Sequence, residues 1–474
     1  MRTPTHYRIQ FIVPPVGLVG HYGRLWEVGS LLPPIGLASV AAIAEKEGHT
    51  VQIMDAEALG LGLDEIQKEI GRFQPDVVGM PTFATNLHVC HRIAEMAKQV
   101  NSEVTVILGG AHVSIDAARC VGKPAIDIGI YGEGEVALIS VLRVLASDLS
   151  LASVKGIIWK NGEGRLVVNP PEGLSADINR FPMPAWHLLA LDRYCGNVLQ
   201  RGRKPLNMIT SRGCPYRCTF CSSPRIFGQS FRYLGTERVV EEMRRLTALH
   251  GADSLQFCDE TFTVNRKRVI DLCDALIEEH MRIPWSCFTR VNLVDEELLA
   301  KMKAAGCYLI MMGIESGVQR ILNLMKKDHT VEQCRRARSL CKETGIWNWF
   351  TFMIGFPTET REESRQTIDF AIELDSEFAH FPIFTPFPGT AAYEIASEHG
   401  MIVNRDLSEY HTFDSGIYSP RPDRSAEDVR RTAHTAYRAF YIRPGYLLRR
   451  MADVPFNYPP RTIWRFARTA FRML

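Results

Sequence analysis

Three of the chain's 12 cysteines, Cys214, Cys218 and Cys221, are spaced C-x3-C-x2-C in the run TSRGCPYRCTFCSS. Random placement of 12 cysteines among 474 residues predicts about 0.008 such triplets, so the spacing is a signal. Thiolates are soft ligands suited to iron-sulfur clusters, and a four-iron cluster held by three cysteines leaves one iron open to a small molecule. A zinc site would need a fourth ligand, for which Cys258 or Cys195 could be recruited. The other nine cysteines are scattered through apparent helices and strands with no export signal ahead of them, which favours reduced thiols.

These residues need a scaffold. From about residue 205 the sequence alternates short apolar runs with amphipathic helical patterns: LNMITSR, SLQFCDE, PWSCFTR, CYLIMMGIES, WNWFTFMIGF and FAHFPIFTPF. Six such repeats predict a partial (β/α)6 barrel of the TIM type, whose site lies at the carboxyl ends of the strands. Arg212, Asp259, Glu260, Arg290, Glu315, Gly355 and Pro386 fall there, and the cysteine triplet follows the first strand. Asp259 or Thr261 could equally cap a helix, and Arg290 could serve in an ordinary ion pair.

The first third has its own alternation. YRIQFIV (7–13), TVQIMD (50–55), DVVGMP (76–81), VTVILGG (104–110) and IDIGIY (126–131) read as buried parallel strands, with helices over 36–47, 64–71, 86–100 and 134–145. This predicts a doubly wound, flavodoxin-like α/β domain with its pocket beyond the strand carboxyl ends. Pro14, Pro15, Gly17, Gly20, Pro81, Thr82, Gly109 and Gly110 lie in those loops and permit close backbone approach without naming a ligand. Residues 146–200 read as a connector with a hairpin at Asn161-Gly162, in which Trp186 and His187 are packing residues or part of a cleft wall. The expected division is 1–145, 146–200, 201–400 and a helical region 401–474.

The stretches LLPPIGLASVAAIAEKEGHTVQIMDAE (31–57), PDVVGMPTF (75–83), VILGGAH (106–112) and YGEGE (131–135) resemble the cobalamin-binding domain that precedes many radical S-adenosylmethionine (radical SAM) enzymes. The resemblance implies cobalamin contacts from Pro15, Gly17, Asp55, Glu57, Thr82, Gly109, Gly110 and Gly132. Where many cobalamin proteins carry Asp-x-His-x-x-Gly, this chain reads Asp55-Ala56-Glu57-Ala58-Leu59-Gly60, so cobalamin is expected without a histidine ligand from this loop. His88 and His91, three apart on a helix, read as a solvated or packed face.

The cysteine loop itself resembles the radical SAM signature, with Phe220 as its usual aromatic. That resemblance implies a 4Fe-4S cluster on Cys214, Cys218 and Cys221, with S-adenosyl-L-methionine on its open iron. It further places the methionyl amino group at Asp259-Glu260, the methionyl carboxylate at Arg290, ribose hydroxyls at Glu315 and adenine at the GFPTET turn (355–360). Phe384, Pro386, Pro388 and Gly389 line a substrate mouth or form a rigid turn. The implied activity is methylation of an unactivated carbon through a 5′-deoxyadenosyl radical. Ring closure, as in the anaerobic magnesium-protoporphyrin monomethyl ester cyclase, and a non-catalytic cobalamin or metal sensor are the alternatives. The implied partners are a small-molecule, lipid or tetrapyrrole substrate and a flavodoxin- or ferredoxin-type electron donor.

The net charge of +2 conceals ten arginines against one acid, Asp453, over residues 430–474. The rest of the chain is net acidic and gives no reason to seek nucleic acid. Arg461, Arg465, Arg468 and Arg472 recur at helical spacing opposite Ile463, Phe466 and Phe471, which suggests docking on the protein body or peripheral membrane contact. The apolar run Ile9–Val13 is too short for a signal segment or a membrane span, so a cytoplasmic location is expected, with membrane association through the tail.

Overall fold

The computed structural model describes residues 6–16, 29–147, 149–197, 200–410 and 416–457, with side chains up to 450 in the last helix. Gly17, Gly20 and the basic run 461–472 lie outside the described residues. The chain divides into two compact units.

The first unit holds β1 (Arg8–Val13), β2 (Thr50–Asp55), β3 (Val77–Pro81), β4 (Thr105–Gly109) and β5 (Ile128–Ile130). These are parallel in the order β2-β1-β3-β4-β5, the flavodoxin-like arrangement. Ile9, Ile12, Val78, Val106 and Leu108 are fully buried, as continuous apolar strands covered on both faces should be. Helices Ile35–Lys46, Leu63–Phe73, Leu87–Val100 and Gly134–Leu145 match the four sequence patterns within two residues. Three short ones, Ala56–Leu59, Ala111–Ile115 and Ala117–Val121, were not legible because four or five residues show no period.

The hairpin expected in the connector adds β6 (Ile157–Lys160) and β7 (Leu166–Val168) antiparallel to the β5 edge, completing a seven-stranded sheet. Its turn is closed by Asn161, whose side chain accepts from the Glu163 and Arg165 amides at 3.0 and 2.9 Å. Gly164, at φ +74°, takes the left-handed position.

The second unit contains β8 (Pro205–Met208), β9 (Ser211–Arg212), β10 (Arg232–Tyr233), β11 (Ser254–Phe257), β12 (Trp285–Thr289), β13 (Cys307–Glu315), β14 (Trp347–Phe352) and β15 (Phe378–His380). Six of them form one parallel sheet in strictly sequential order, β8-β11-β12-β13-β14-β15, with a helix in every crossover. Each strand end is therefore adjacent to the next one in sequence. Phe257 of β11, Trp285 of β12 and the nearby Phe262 pack with ring centroids 4.8–5.6 Å apart, and the Trp285 indole donates to the Ala305 carbonyl at 2.7 Å.

Helix Ala426–Tyr441 covers the β15 edge. The Tyr441 hydroxyl accepts from the Ala379 amide and donates to its carbonyl, while the Tyr437 hydroxyl accepts from the Phe381 amide. An edge strand is thereby satisfied by side chains instead of a further strand. No helix among the described residues is long and apolar enough to cross a membrane.

Candidate functional site

In the second unit the cysteine loop leaves β9 and returns at β10, and these two short strands pair antiparallel, Arg212 opposite Arg232. That ladder, which sequence reading missed because each strand has two residues, closes the base of the loop. Cys214 and Cys218 are half-buried and Cys221 is exposed, whereas Cys90, Cys120, Cys273, Cys287, Cys307, Cys334 and Cys341 are buried; none is in a disulfide. Three accessible sulfurs on one loop suit a soft-metal cluster. Among the described residues, no three His, Cys, Asp or Glu side chains are gathered closely enough to hold a lone metal ion. Burial, reinforced by the adjacent Asp259, pushes the Cys258 thiol up to about 12.

The loop is tied down at several points. Thr219 donates its amide to the Met325 carbonyl at 3.0 Å, and its own carbonyl accepts from the Ala392 amide at 2.9 Å. Cys214 Sγ lies 3.6 Å from the Thr261 hydroxyl. Arg290, buried at the end of β12, donates from Nη1 to Cys218 Sγ at 3.4 Å, from Nη2 to the Lys327 carbonyl and from Nε to Asn292 Oδ1 at 3.4 Å. Its guanidinium also sits 3.7 Å from the Tyr216 ring centroid.

The two acids after β11 are used differently. Asp259 accepts from the Thr210 amide and hydroxyl, both at 2.6 Å, and from the Ser211 hydroxyl at 2.7 Å, with Arg268 3.8 Å away. It fixes the approach to β9. Glu260 is half-buried, and burial, reinforced by Asp259 and opposed by Arg212 and Arg232, pushes its carboxyl up to about 7.

Glu315 ends β13 at φ +67°, an unusual conformation for a residue with a side chain, where the pairing to β14 slips at a bulge. Its carboxylate accepts from Lys327 Nζ at 2.9 Å, both side chains being less than a tenth exposed. Gly313 makes room for this pair. A Cβ there would lie 2.1 Å from Glu315 Oε1 and 2.6 Å from Lys327 Nζ. Lys327 Nζ also stands 5.7 Å from the Phe220 ring. The sequence hid Lys327 because KKDH reads as a solvated run; the pair became visible only once β13 and the following segment were folded together.

Gly355, at φ +84°, donates its amide to Glu359 Oε2 at 2.5 Å, and a Cβ would come 2.6 Å from Val429 Cγ1. Glu359 is fully buried and meets Arg424 at 3.2 Å and the Ser364 hydroxyl at 2.6 Å. Phe384 packs edge-on against Phe356 and Tyr418, so the segment after β15 is a rigid aromatic turn, with Gly389 at φ +80°.

In the first unit Pro15, Asp55, Thr82, Gly109, Gly110 and Gly132 all lie at or just beyond strand carboxyl ends, and Glu57 follows on the short helix Ala56–Leu59. Asp55 caps that helix through the Ala58 amide at 3.0 Å and accepts from the Tyr194 hydroxyl at 2.8 Å, while burial raises its carboxyl. The Thr82 hydroxyl donates to the Gly109 carbonyl at 2.7 Å and accepts from the Val113 amide at 3.3 Å. Thr82 thus serves the loop itself. Gly110, at φ +92°, passes so close to Thr82 that a Cβ would meet its backbone at 3.0–3.1 Å. Gly132 donates to the Ser114 hydroxyl at 2.9 Å. His91 contacts the Cys120 carbonyl at 2.8 Å and His88 is exposed, while Trp186 is buried.

Residues 24–142 match the B12 binding domain and residues 208–371 the radical SAM superfamily. An uncharacterized methyltransferase of Pyrococcus horikoshii is 35% identical over 423 residues, 89% of this chain and 90% of its own length. The chain belongs to the B12-binding branch of the radical SAM superfamily. Within it, the anaerobic magnesium-protoporphyrin IX monomethyl ester cyclase of Rubrivivax gelatinosus is 28% identical over 428 residues, 89% of this chain and 76% of its own. The fold is shared with the radical S-adenosylmethionine methyltransferase TsrM from Kitasatospora setae, solved with cobalamin and a [4Fe-4S] cluster. The TM-score is 0.72 at 19% identity, with 92% of this chain and 89% of that one covered. In this radical SAM enzyme the doubly wound unit is the B12-binding domain, and the sequential six-stranded sheet presents the cysteine loop.

Proposed function

We propose that this enzyme uses a 4Fe-4S cluster, S-adenosyl-L-methionine and cobalamin to methylate an unactivated carbon of a small-molecule, lipid or tetrapyrrole substrate. The observation that carries the reading is the set of accessible thiols Cys214, Cys218 and Cys221 on one anchored loop, beside strand ends bearing Glu260, Glu315 and Gly355. When bound, the cluster supplies the electron that cleaves S-adenosyl-L-methionine to a 5′-deoxyadenosyl radical, and cobalamin supplies the methyl group.

The chain's own residues bind and orient. The three cysteines hold three of the four irons. Glu260, rather than the internally committed Asp259, pairs with the methionyl amino group. Glu315, held by Lys327 at 2.9 Å, accepts ribose hydroxyls, and the Gly355 turn and Phe220 flank the nucleoside. In the first unit the backbone of Pro15, Gly109, Gly110 and Gly132, together with Asp55 and Glu57, would hold the corrin, and the 55–60 loop carries no histidine to offer it. A flavodoxin- or ferredoxin-type protein delivers the electron.

Anaerobic reconstitution with iron, sulfide and hydroxocobalamin tests this reading. It expects about four irons per chain, a bound-corrin spectrum, and 5′-deoxyadenosine on reduction in the presence of S-adenosyl-L-methionine. Zinc in place of iron, or S-adenosyl-L-methionine left intact, would sink it. A second reading, ring closure on a tetrapyrrole, is favoured by the likeness to the cyclase along 89% of the chain. Methyl-labelled S-adenosyl-L-methionine separates the two, because only methyl transfer leaves label in the product.

A further inference from the structure

We propose that Arg290 is a positioning residue for the cysteine loop that sets the reduction potential of the cluster, and that it is not the clamp for the methionyl carboxylate. The proposal rests on the reading that Cys214, Cys218 and Cys221 hold a 4Fe-4S cluster.

Each guanidinium nitrogen of Arg290 already has a protein acceptor: Cys218 Sγ, the Lys327 carbonyl and Asn292 Oδ1. One face is covered by Tyr216, two residues before Cys218, and only 5% of the residue is exposed. A fork onto a ligand carboxylate needs two parallel N–H groups facing solvent. Here the fork is divided between a thiol sulfur and a backbone carbonyl. Arg290 therefore joins three pieces of chain: the end of β12, the cysteine loop and the Met325–Lys327 segment. That segment is itself bonded to the loop through Thr219 and to Glu315 through Lys327.

The consequence is electrostatic. A cationic N–H donor aimed at a cluster sulfur stabilises the reduced, more negative cluster more than the oxidised one, and so raises its potential. Burial of the cation strengthens the effect because water screens it little.

The test uses the full-length reconstituted protein with Arg290→Gln and Arg290→Lys, read by iron content, by EPR-monitored redox titration without S-adenosyl-L-methionine, and by equilibrium binding of S-adenosyl-L-methionine. The expected result is a midpoint shifted to more negative potential in Arg290→Gln, partly restored in Arg290→Lys, with affinity for S-adenosyl-L-methionine changed less than threefold. If Arg290→Gln fails to assemble a cluster, Arg290→Lys carries the comparison, since it keeps the charge and most of the packing volume. Unchanged midpoints together with a tenfold or larger loss of affinity would overturn the proposal in favour of a carboxylate clamp. A wild-type chain that takes up no four-iron cluster would overturn both this proposal and the reading beneath it, and iron counting identifies that outcome before any variant is made.

Discussion

The two strand-end edges of this protein are built from opposite materials. Along the first sheet the residues that shape the edge have little side chain to offer: Gly109, Gly110, Gly132 and Pro15, with the Thr82 hydroxyl engaged by Gly109 and Val113 and the Asp55 carboxylate by Ala58 and Tyr194. Along the second sheet the edge is crowded with thiols and charges, namely the cysteine loop, Glu260, Glu315, Lys327 and Arg290. A backbone-lined edge recognises a large flat ligand by shape, whereas a charged edge discriminates small polar groups and holds a metal cluster. Substitutions should therefore fail by different routes: through added volume in the first unit, through lost charge or sulfur in the second.

The largest effect is expected at the thiols. Cys214→Ala, Cys218→Ala and Cys221→Ala should each abolish cluster incorporation and 5′-deoxyadenosine formation, while Cys258→Ala keeps both, as read by iron counting and product analysis. Retention of full iron by any of the first three would dissolve the contrast between the two edges.

Next comes the buried Arg424–Glu359 pair, whose side chains are at most 1% exposed. Arg424→Met should cost about 3–5 kcal/mol in chemical denaturation, because the Glu359 carboxylate is left buried without its cation. The double variant Arg424→Met/Glu359→Leu should recover much of the loss. If the single variant proves neutral, the pair does not hold the Gly355 turn.

Volume tests the edges directly. Gly313→Ala drives a Cβ into the Glu315–Lys327 pair and should weaken S-adenosyl-L-methionine binding by about tenfold, or about 1.4 kcal/mol. Gly110→Ala, strained at φ +92° and pressed on Thr82, should instead weaken hydroxocobalamin binding and leave the cluster intact. Crossed results would reverse the assignment of ligands to edges.

The smallest effect is in pH. With its carboxyl near 7, Glu260 is half protonated at neutrality, and only the ionised form attracts an ammonium group. Affinity for S-adenosyl-L-methionine should fall as pH drops below about 7, by up to about tenfold per unit, since one pKa unit is worth 1.36 kcal/mol. Glu260→Gln should be flat over that range; an identical slope in the variant would remove Glu260 from the site.

Legibility in the sequence followed the same division. The six repeats of the second sheet, the five parallel strands of the first and the cysteine triplet were readable because long apolar periods and sulfur spacing are local signals. Arg290 was placed correctly at the end of β12, but its partners were not, since Cys218 and Lys327 reach it from distant segments. Lys327, Tyr216 and Arg424 went unread for the same reason: a charge or a ring acquires meaning only from what folds against it. Asp259 and Glu260, adjacent and chemically alike, could not be told apart until Thr210 and Ser211 were seen to occupy the first.

Arg424 lies 65 residues beyond the carboxylate it neutralises. During synthesis a ribosome has therefore already released all six strands of the second sheet, and the cysteine loop with them, before the cation that settles the Gly355 turn emerges. A nascent chain stopped short of residue 424 would carry its sulfurs while the Gly355 turn still lacked its buried cation, so the order of translation delays the settling of that turn until well after the sixth strand has emerged.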